Sequence, residues 1–336
     1  MRLLLSLSIL TVLFSCSGNI DKPDVSGIKV KVSTYRFEKA IFKSNSSAPD
    51  EGINTALSEN DPFVPFFLNT ILNADPLWNK DTIKNYVSGF VNSYKNVFDT
   101  VDIIFKDFSI YEQEIKKSLQ YLKYYFPDYT PPSKIITYVG PLDGYGDIIT
   151  DDALVIGLQH HLGKNASFYQ QGWLQETYPN YITSRFEPEY IVVNCMKNIV
   201  NDMYPDDKID APLGIQMVEA GKRLFVMEKL MPDVEPFRII GYTEEQLKGC
   251  LDHERAVWDL FIQNNLLQNI DKNIIKNYLG ESPKTQELGD SSPGNIGAFS
   301  GWQLVKKYMD KYPETRLIDL MKMDPEKIIQ LAKYKP

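Results

Sequence analysis

The chain has 336 residues, 43% of them hydrophobic, with a formal net charge of −8. That length, with 20 Tyr and 17 Phe, supports a large packed core and argues against a disordered secretion factor. The acidic balance and the lack of any Lys/Arg run argue against nucleic acid as a partner and against attraction to anionic lipid.

The first sixteen residues, MRLLLSLSILTVLFSC, place one charge, Arg2, before an apolar and small-residue run from Leu3 to Phe14. The run falls short of the about 20 apolar residues that cross a bilayer. A charged start, a short apolar core and a small residue before the cut describe a secretory signal. Leu13-Phe14-Ser15-Cys16 resembles a lipobox, in which the thiol at the cut site carries diacylglycerol. Residues 1–15 are therefore predicted to be a signal peptide and Cys16 the lipidation site. Residues 16–27, polar and rich in breakers, read as a tether. No second long apolar run follows, so membrane contact rests on the acyl chains.

Residues 28–36, IKVKVSTYR, alternate apolar and polar side chains and predict a strand. A loop at 48–62 precedes predicted helices at about 62–74, 81–98, 101–107 and 109–125, the last stopped by Pro127. Strands are predicted at 134–140, 147–149 and 153–160, with the Gly-rich PLDGYGD turn making a hairpin of the first two. Beyond Gly163 the pattern is mainly helical. Thr243-x-x-Gln246 is a capping box opening a helix of about 244–266, and Asp324-Pro325 is a second helix start. The predicted architecture is one α+β domain over residues 28–336, mainly helical with a small mixed β-sheet.

Histidines are scarce: His160, His161 and His253. Neighbours on a strand face opposite sides, so His160 and His161 do not readily ligate one metal. His253-Glu254 lacks a second histidine, because Val257 stands at i+4. Glu254 falls inside the apolar stripe Leu247, Cys250, Leu251, Val257, Trp258 and Phe261, where an acid is either paired or raised in pKa. Glu219 lies on a long helix with Arg223 at i+4 as an ion-pair partner. Asn194, Asn198 and Asn201 form a row opposite the stripe Val192, Met196, Ile199 and Val200. Asn194, Asn198, Glu219 and Glu254 are the candidate cleft residues; no catalytic residue, metal ligand set or cofactor is expected. Gly297 and Gly301 leave a bare helix strip suited to close packing of another helix. Cys195 and Cys250 read as two separate buried thiols.

The blocks RFEPEYIVVNCMKNIV, IGYTEEQ, HERAVW, SPGNIGAFSGWQLVKKYM and LAKYKP, with DDALVIGLQHHLG before them, resemble the gliding-motility lipoprotein GldB family. The resemblance implies an envelope lipoprotein of Bacteroidota-type bacteria, facing the periplasm beside proteins of a gliding or secretion apparatus. A fainter likeness is to zincin metalloproteases of the gluzincin kind. It would set Asn194 and Asn198 where the zinc histidines stand and Glu219 at the third ligand. Cys195 replaces the general-base Glu, so that likeness implies a fold without the activity. The expected function is a non-catalytic scaffold or binding component. The alternative is a metal-dependent hydrolase with a nonstandard site drawn from Glu219, Glu254 and one of His160 or His161.

Overall fold

The computed structural model describes residues 22–42 and 63–336, together with Ile53 and Leu57. The signal segment, Cys16 and most of the 48–62 loop lie outside the described residues.

Four strands, β1 (Ser33–Arg36), β2 (Lys134–Tyr138), β3 (Ile148–Ile149) and β4 (Ala153–Gly157), form one mixed sheet in the order β1-β2-β4-β3. Both β1 and β4 run parallel to β2, so that Ile135 sits between Thr34 and Leu154. The predicted hairpin across PLDGYGD is not formed. The hairpin is the short one between β3 and β4, with Ile148 opposite Val155. Burial explains the difference. Ile135, Leu154 and Ile156 enter one core, while Ile136, Tyr138, Ala153 and Val155 enter a second core on the other face. A strand covered on both faces reads as an unbroken apolar run, the pattern of a buried parallel sheet. The alternating run at 28–32 forms no strand; β1 begins only at Ser33. The predicted 153–160 strand stops at Gly157 and continues as a 3₁₀ turn, Leu158–His160.

The helices of eight residues or more, among the described residues, are α1 (Lys80–Ser93), α2 (Lys95–Ile104), α3 (Ser109–Tyr125), α4 (Tyr190–Met203), α5 (Leu213–Leu230), α6 (Glu244–Asp252), α7 (Glu254–Gln263), α8 (Lys272–Leu279), α9 (Ile296–Lys311) and α10 (Pro325–Ala332). The molecule is thus α+β and mainly helical. The helix predicted at 81–98 divides at Tyr94, whose ring stacks on Phe90 at 4.6 Å. The weak 101–107 stretch is the end of α2 rather than a separate helix. The helix predicted at 244–266 breaks at His253 (φ −117°, ψ 22°). The break shifts the phase of the predicted stripe, burying Cys250, Val257 and Phe261 but leaving Leu251 46% exposed.

Both predicted helix starts are present. Gln246 N–H donates to Thr243 Oγ1 (3.1 Å), and Thr243 N–H donates to Gln246 Oε1 (2.9 Å). Asp324 Oδ1 accepts from Glu326 N–H at 3.0 Å ahead of α10. Thr243→Ala removes one arm of the box. It is expected to cost about 1 kcal/mol and to lower the thermal midpoint by roughly 2 °C, read by circular dichroism melting.

The closest helix pair is α5 against α9. An ideal Cβ on Gly301 would lie 1.7 Å from the Met217 carbonyl oxygen, and one on Gly221 would lie 2.3 Å from the Gly301 carbonyl. The bare strip predicted at Gly297 and Gly301 is therefore where α5 crosses: Gly297 faces the Met217 side chain, with the Tyr278 carbonyl and Leu279 beside it. Cys195 and Cys250 are free and buried.

Candidate functional site

Helix α4 buries Val192, Met196, Ile199 and Val200 on one side and leaves its asparagine row partly open. That row holds the segment leading into β3. Asn194 Nδ2 donates to Asp147 Oδ2 at 2.7 Å, and Asn198 Nδ2 donates to the Asp147 carbonyl at 3.0 Å. Gly157 N–H donates to Asp147 Oδ1 at 3.1 Å, and His161 Nε2 stands 2.9 Å from Oδ2. His161 Nδ1 faces the Glu187 carbonyl at 3.0 Å. Both partners of this ring are acceptors only, so both ring nitrogens carry a proton and His161 is an imidazolium.

The side chains of Asp147 and His161 are 3% and 1% exposed, so this is a buried ion pair. Burial alone would raise the Asp147 pKa; the His161 charge and the hydrogen bonds from His161 and Asn194 outweigh it and hold the carboxyl below its ordinary value. Burial alone would lower the His161 pKa; the Asp147 charge and hydrogen bond outweigh it and hold the imidazole above its ordinary value. His160 is the opposite case. Its Nε2–H donates to the Leu142 carbonyl at 2.8 Å, its ring stacks on Phe186 at 4.5 Å, and burial pushes its pKa down to about 4. The two histidines serve different partners, as their adjacency predicts, although His160 ends a 3₁₀ turn and His161 follows it, neither being on a strand.

Tyr138 Oη donates to the carbonyls of Tyr145 (2.7 Å) and Gly146 (2.8 Å), and Tyr178 Oη donates to that of Gly144 (2.9 Å). The PLDGYGD segment is thereby fixed from several sides, and the Asp147–His161–Asn194 cluster closes it. Every polar atom of the carboxylate is answered by protein. The arrangement positions a loop, and the carboxylate has no open side toward a substrate.

The four predicted cleft residues do not converge. Glu219 turns to Lys222, with Oε1 2.7 Å from Nζ; Arg223, its predicted partner, stands further off at 3.6 Å. Lys222 is 1% exposed and also donates to the carbonyls of Met321 and Met323, each at 3.1 Å. It ties α5 to the short helix Leu317–Lys322. Glu254 accepts a hydrogen bond from Tyr334 Oη near the chain end, so its place inside the stripe is answered by pairing. Among the described residues no group of three or more His, Cys, Asp or Glu side chains is arranged to hold a metal ion. Asn194 and Asn198 share Asp147 as a partner, while Glu219 and Glu254 are held by Lys222 and Tyr334.

A real cleft does lie between α4 and α5, with a volume of about 720 Å³. Asn194, Asn201, Gln216 and Asn295 are the amides on its walls, and Val193, Leu224 and Met227 are among its apolar groups. Four cations line it, Arg185, Lys197, Arg223 and Arg238, against two carboxylates, Asp206 and Glu281. Arg185 makes a two-pronged ion pair with Glu281, both contacts 3.0 Å. The sequence reading found α4 and α5 as walls but not these cations. They come from segments separated by tens of residues, and no local pattern links them. Asp147 was equally hidden, because an Asp in a Gly-rich stretch reads as a turn residue.

The fold and site together define an α+β protein with a fixed polar loop and an open, cation-lined cleft. The chain belongs to the family described as gliding motility protein GldB, whose model matches residues 18–336. Membership places it among proteins of gliding motility, and the family's label marks lipoproteins. No curated protein matches the chain, and no solved structure does. Among the described residues no helix is long and apolar enough to cross a membrane.

Proposed function

We propose that this protein is a lipid-anchored, non-catalytic binding component of the gliding apparatus, with its domain on the periplasmic face of a membrane. The observation that supports this best is the commitment of the candidate acids to internal partners. Glu219 is held by Lys222, Glu254 by Tyr334 and Asp147 by His161 and Asn194. Each is committed to a structural contact within the protein. Cys16 supplies the anchor. The six peptide units from Cys16 to Lys22, where the described chain begins, reach at most about 20 Å. The domain therefore stands close against the bilayer.

Two measurements test this reading. Cys16→Ser is expected to leave the domain folded and to move it from the membrane to the soluble fraction after cell breakage. A mutant that stays wholly with the membrane would show that a protein partner holds it. Metal analysis of the purified protein is expected to find no stoichiometric zinc; zinc at one per chain, lost on Glu219→Ala, would favour the hydrolase.

A further inference from the structure

We infer that the α4–α5 cleft binds an extended peptide segment that carries acidic and apolar side chains, its carboxylates set against Lys197, Arg238 and Arg223. The inference rests on the reading of this protein as a binding component and names the chemistry of what it binds.

Lys197 is the central observation. It projects from α4 into the cleft, is exposed to solvent, and has no hydrogen bond or ion pair among the described residues. The protein crowded around it, and then the nearby Arg185, lower its pKa, while Glu281 works the other way. Open area combined with crowding is the property of a group at a cleft floor. The cations beside it are only partly answered. Arg223 donates to the Tyr204 carbonyl at 3.1 Å and stands 3.6 Å from Glu219, which is held more closely by Lys222. Arg238 lies over the Phe237 ring at 5.5 Å, with Glu114 near enough to feel its charge. In a chain of net charge −8 this hollow is a local positive field, and a field focused in a cleft raises the local concentration of an oppositely charged ligand. A carboxylate beside Lys197 and Arg238 would meet two cations that form no ion pair among the described residues.

Shape and charge select a peptide over a small anion or a uniform polyanion. The cations do not converge on one point; they ring an apolar lining that includes Val193, Leu224 and Met227. Such a lining gains from side-chain burial, which a bare phosphate cannot supply. Asn194 donates to Asp147, and Gln216 to the carbonyls of Ile209 and Ala211, which leaves their amide oxygens and the Asn201 amide to pair with a ligand backbone. The cleft also adjoins a second hollow of about 610 Å³, with which it shares Arg185, Tyr190, Arg238 and Glu281. There the balance reverses: Glu187, Glu244 and Glu245 join Glu281 against Lys164 and the shared arginines. A polymer anionic along its whole length would be repelled at that end. A peptide of mixed charge fits both ends.

The test is selection of random heptapeptides displayed on phage against the full-length acylated protein in detergent micelles, with empty micelles as the counter-selection. Enriched sequences are expected to carry Asp or Glu beside apolar residues. Synthetic fluorescent copies are then titrated by anisotropy. Lys197→Glu and Arg238→Glu are each expected to weaken binding about tenfold or more, and thermal midpoints show whether each variant is folded. Lys197→Met, which removes the charge and keeps the stem, serves if the reversal unfolds the protein. Several outcomes overturn the inference: no enrichment over empty micelles, enriched peptides without acids, or equal binding by folded variants. Displacement of the peptides by inorganic phosphate or by oligogalacturonate at similar concentrations would also overturn it, assigning the cleft to small anions or to acidic glycans. Zinc found in the purified protein would defeat the non-catalytic reading and leave these titrations unchanged, so the two failures are distinguishable.

Discussion

Gly301→Ala is expected to destabilise this protein by about 3 kcal/mol and to lower its thermal midpoint by roughly 6 °C. The new methyl carbon would stand 1.7 Å from the Met217 carbonyl oxygen, less than half an ordinary contact distance. The obstacle is backbone, so no rotamer change relieves it, and α5 and α9 must separate or tilt. The cost then spreads, because Phe225, Val226, Phe299 and Val305 belong to the same core. Gly221→Ala acts in the same way from the other helix, its Cβ meeting the Gly301 carbonyl at 2.3 Å. Gly249 in α6 is the control, because an added Cβ there finds nothing within 4 Å. Gly249→Ala is expected to leave the midpoint unchanged or to raise it slightly, since alanine favours a helix by up to about 1 kcal/mol. A Gly301→Ala protein melting with the wild type would refute the close crossing.

The second large effect is a stability profile with its maximum near pH 6.5. His161 has a folded pKa above its ordinary 6.5, so its contribution is full below that value and is lost as pH rises through the folded pKa. Asp147 has a folded pKa below its ordinary 3.8, so its contribution is full above that value and is lost as pH falls through the folded one. His160 acts on the other flank. It stays neutral in the folded protein down to about pH 4, while the unfolded chain takes up a proton below 6.5, so stability falls between 6.5 and 4. Thermal midpoints from pH 4 to 9 should rise to the maximum and then decline. His160→Gln is expected to flatten the acid flank. Asp147→Asn is expected to cost about 3–5 kcal/mol by stranding a buried imidazolium, and to flatten the alkaline flank. A wild-type midpoint climbing steadily to pH 8 would rule out the charged pair.

How much of this was legible in the sequence depends on how local each signal is. Thr243 with Gln246, and Asp324 with Pro325, each act within three residues, and both helix starts are found as read. Gly297 and Gly301 mark a close crossing because only contact gives a helix a use for bare turns. The parallel pairing of β1 with β2 was hidden, because their partners lie 101 residues apart and no turn announces them. The apolar run Ile135-Ile136 and the sequence Ala153-Leu154-Val155-Ile156 did carry the clue, as strands buried on both faces do.

The candidate site shows the same division. The asparagine row on α4 was visible as a hydrogen-bonding face, but Asp147 lies 47 residues from Asn194 and 51 from Asn198. Lys222 looked like one more charge on a mixed helix, yet it is the principal partner of Glu219. Arg185, Lys197, Arg223 and Arg238 share a cleft only because four separate segments fold around it.

Lys222 also sets a condition on the growing chain. Its ammonium group is buried against carbonyls 99 and 101 residues further on. Until that distant segment arrives, the charge must stay in water, and α5 cannot settle on its neighbours without a heavy desolvation cost. A product ending at residue 316 would hold every residue of α4, α5 and α9 and still lack the groups that let them close. The same lysine that joins two helices in the finished molecule thereby makes the closing of α5 wait on the last segment of the chain to be made.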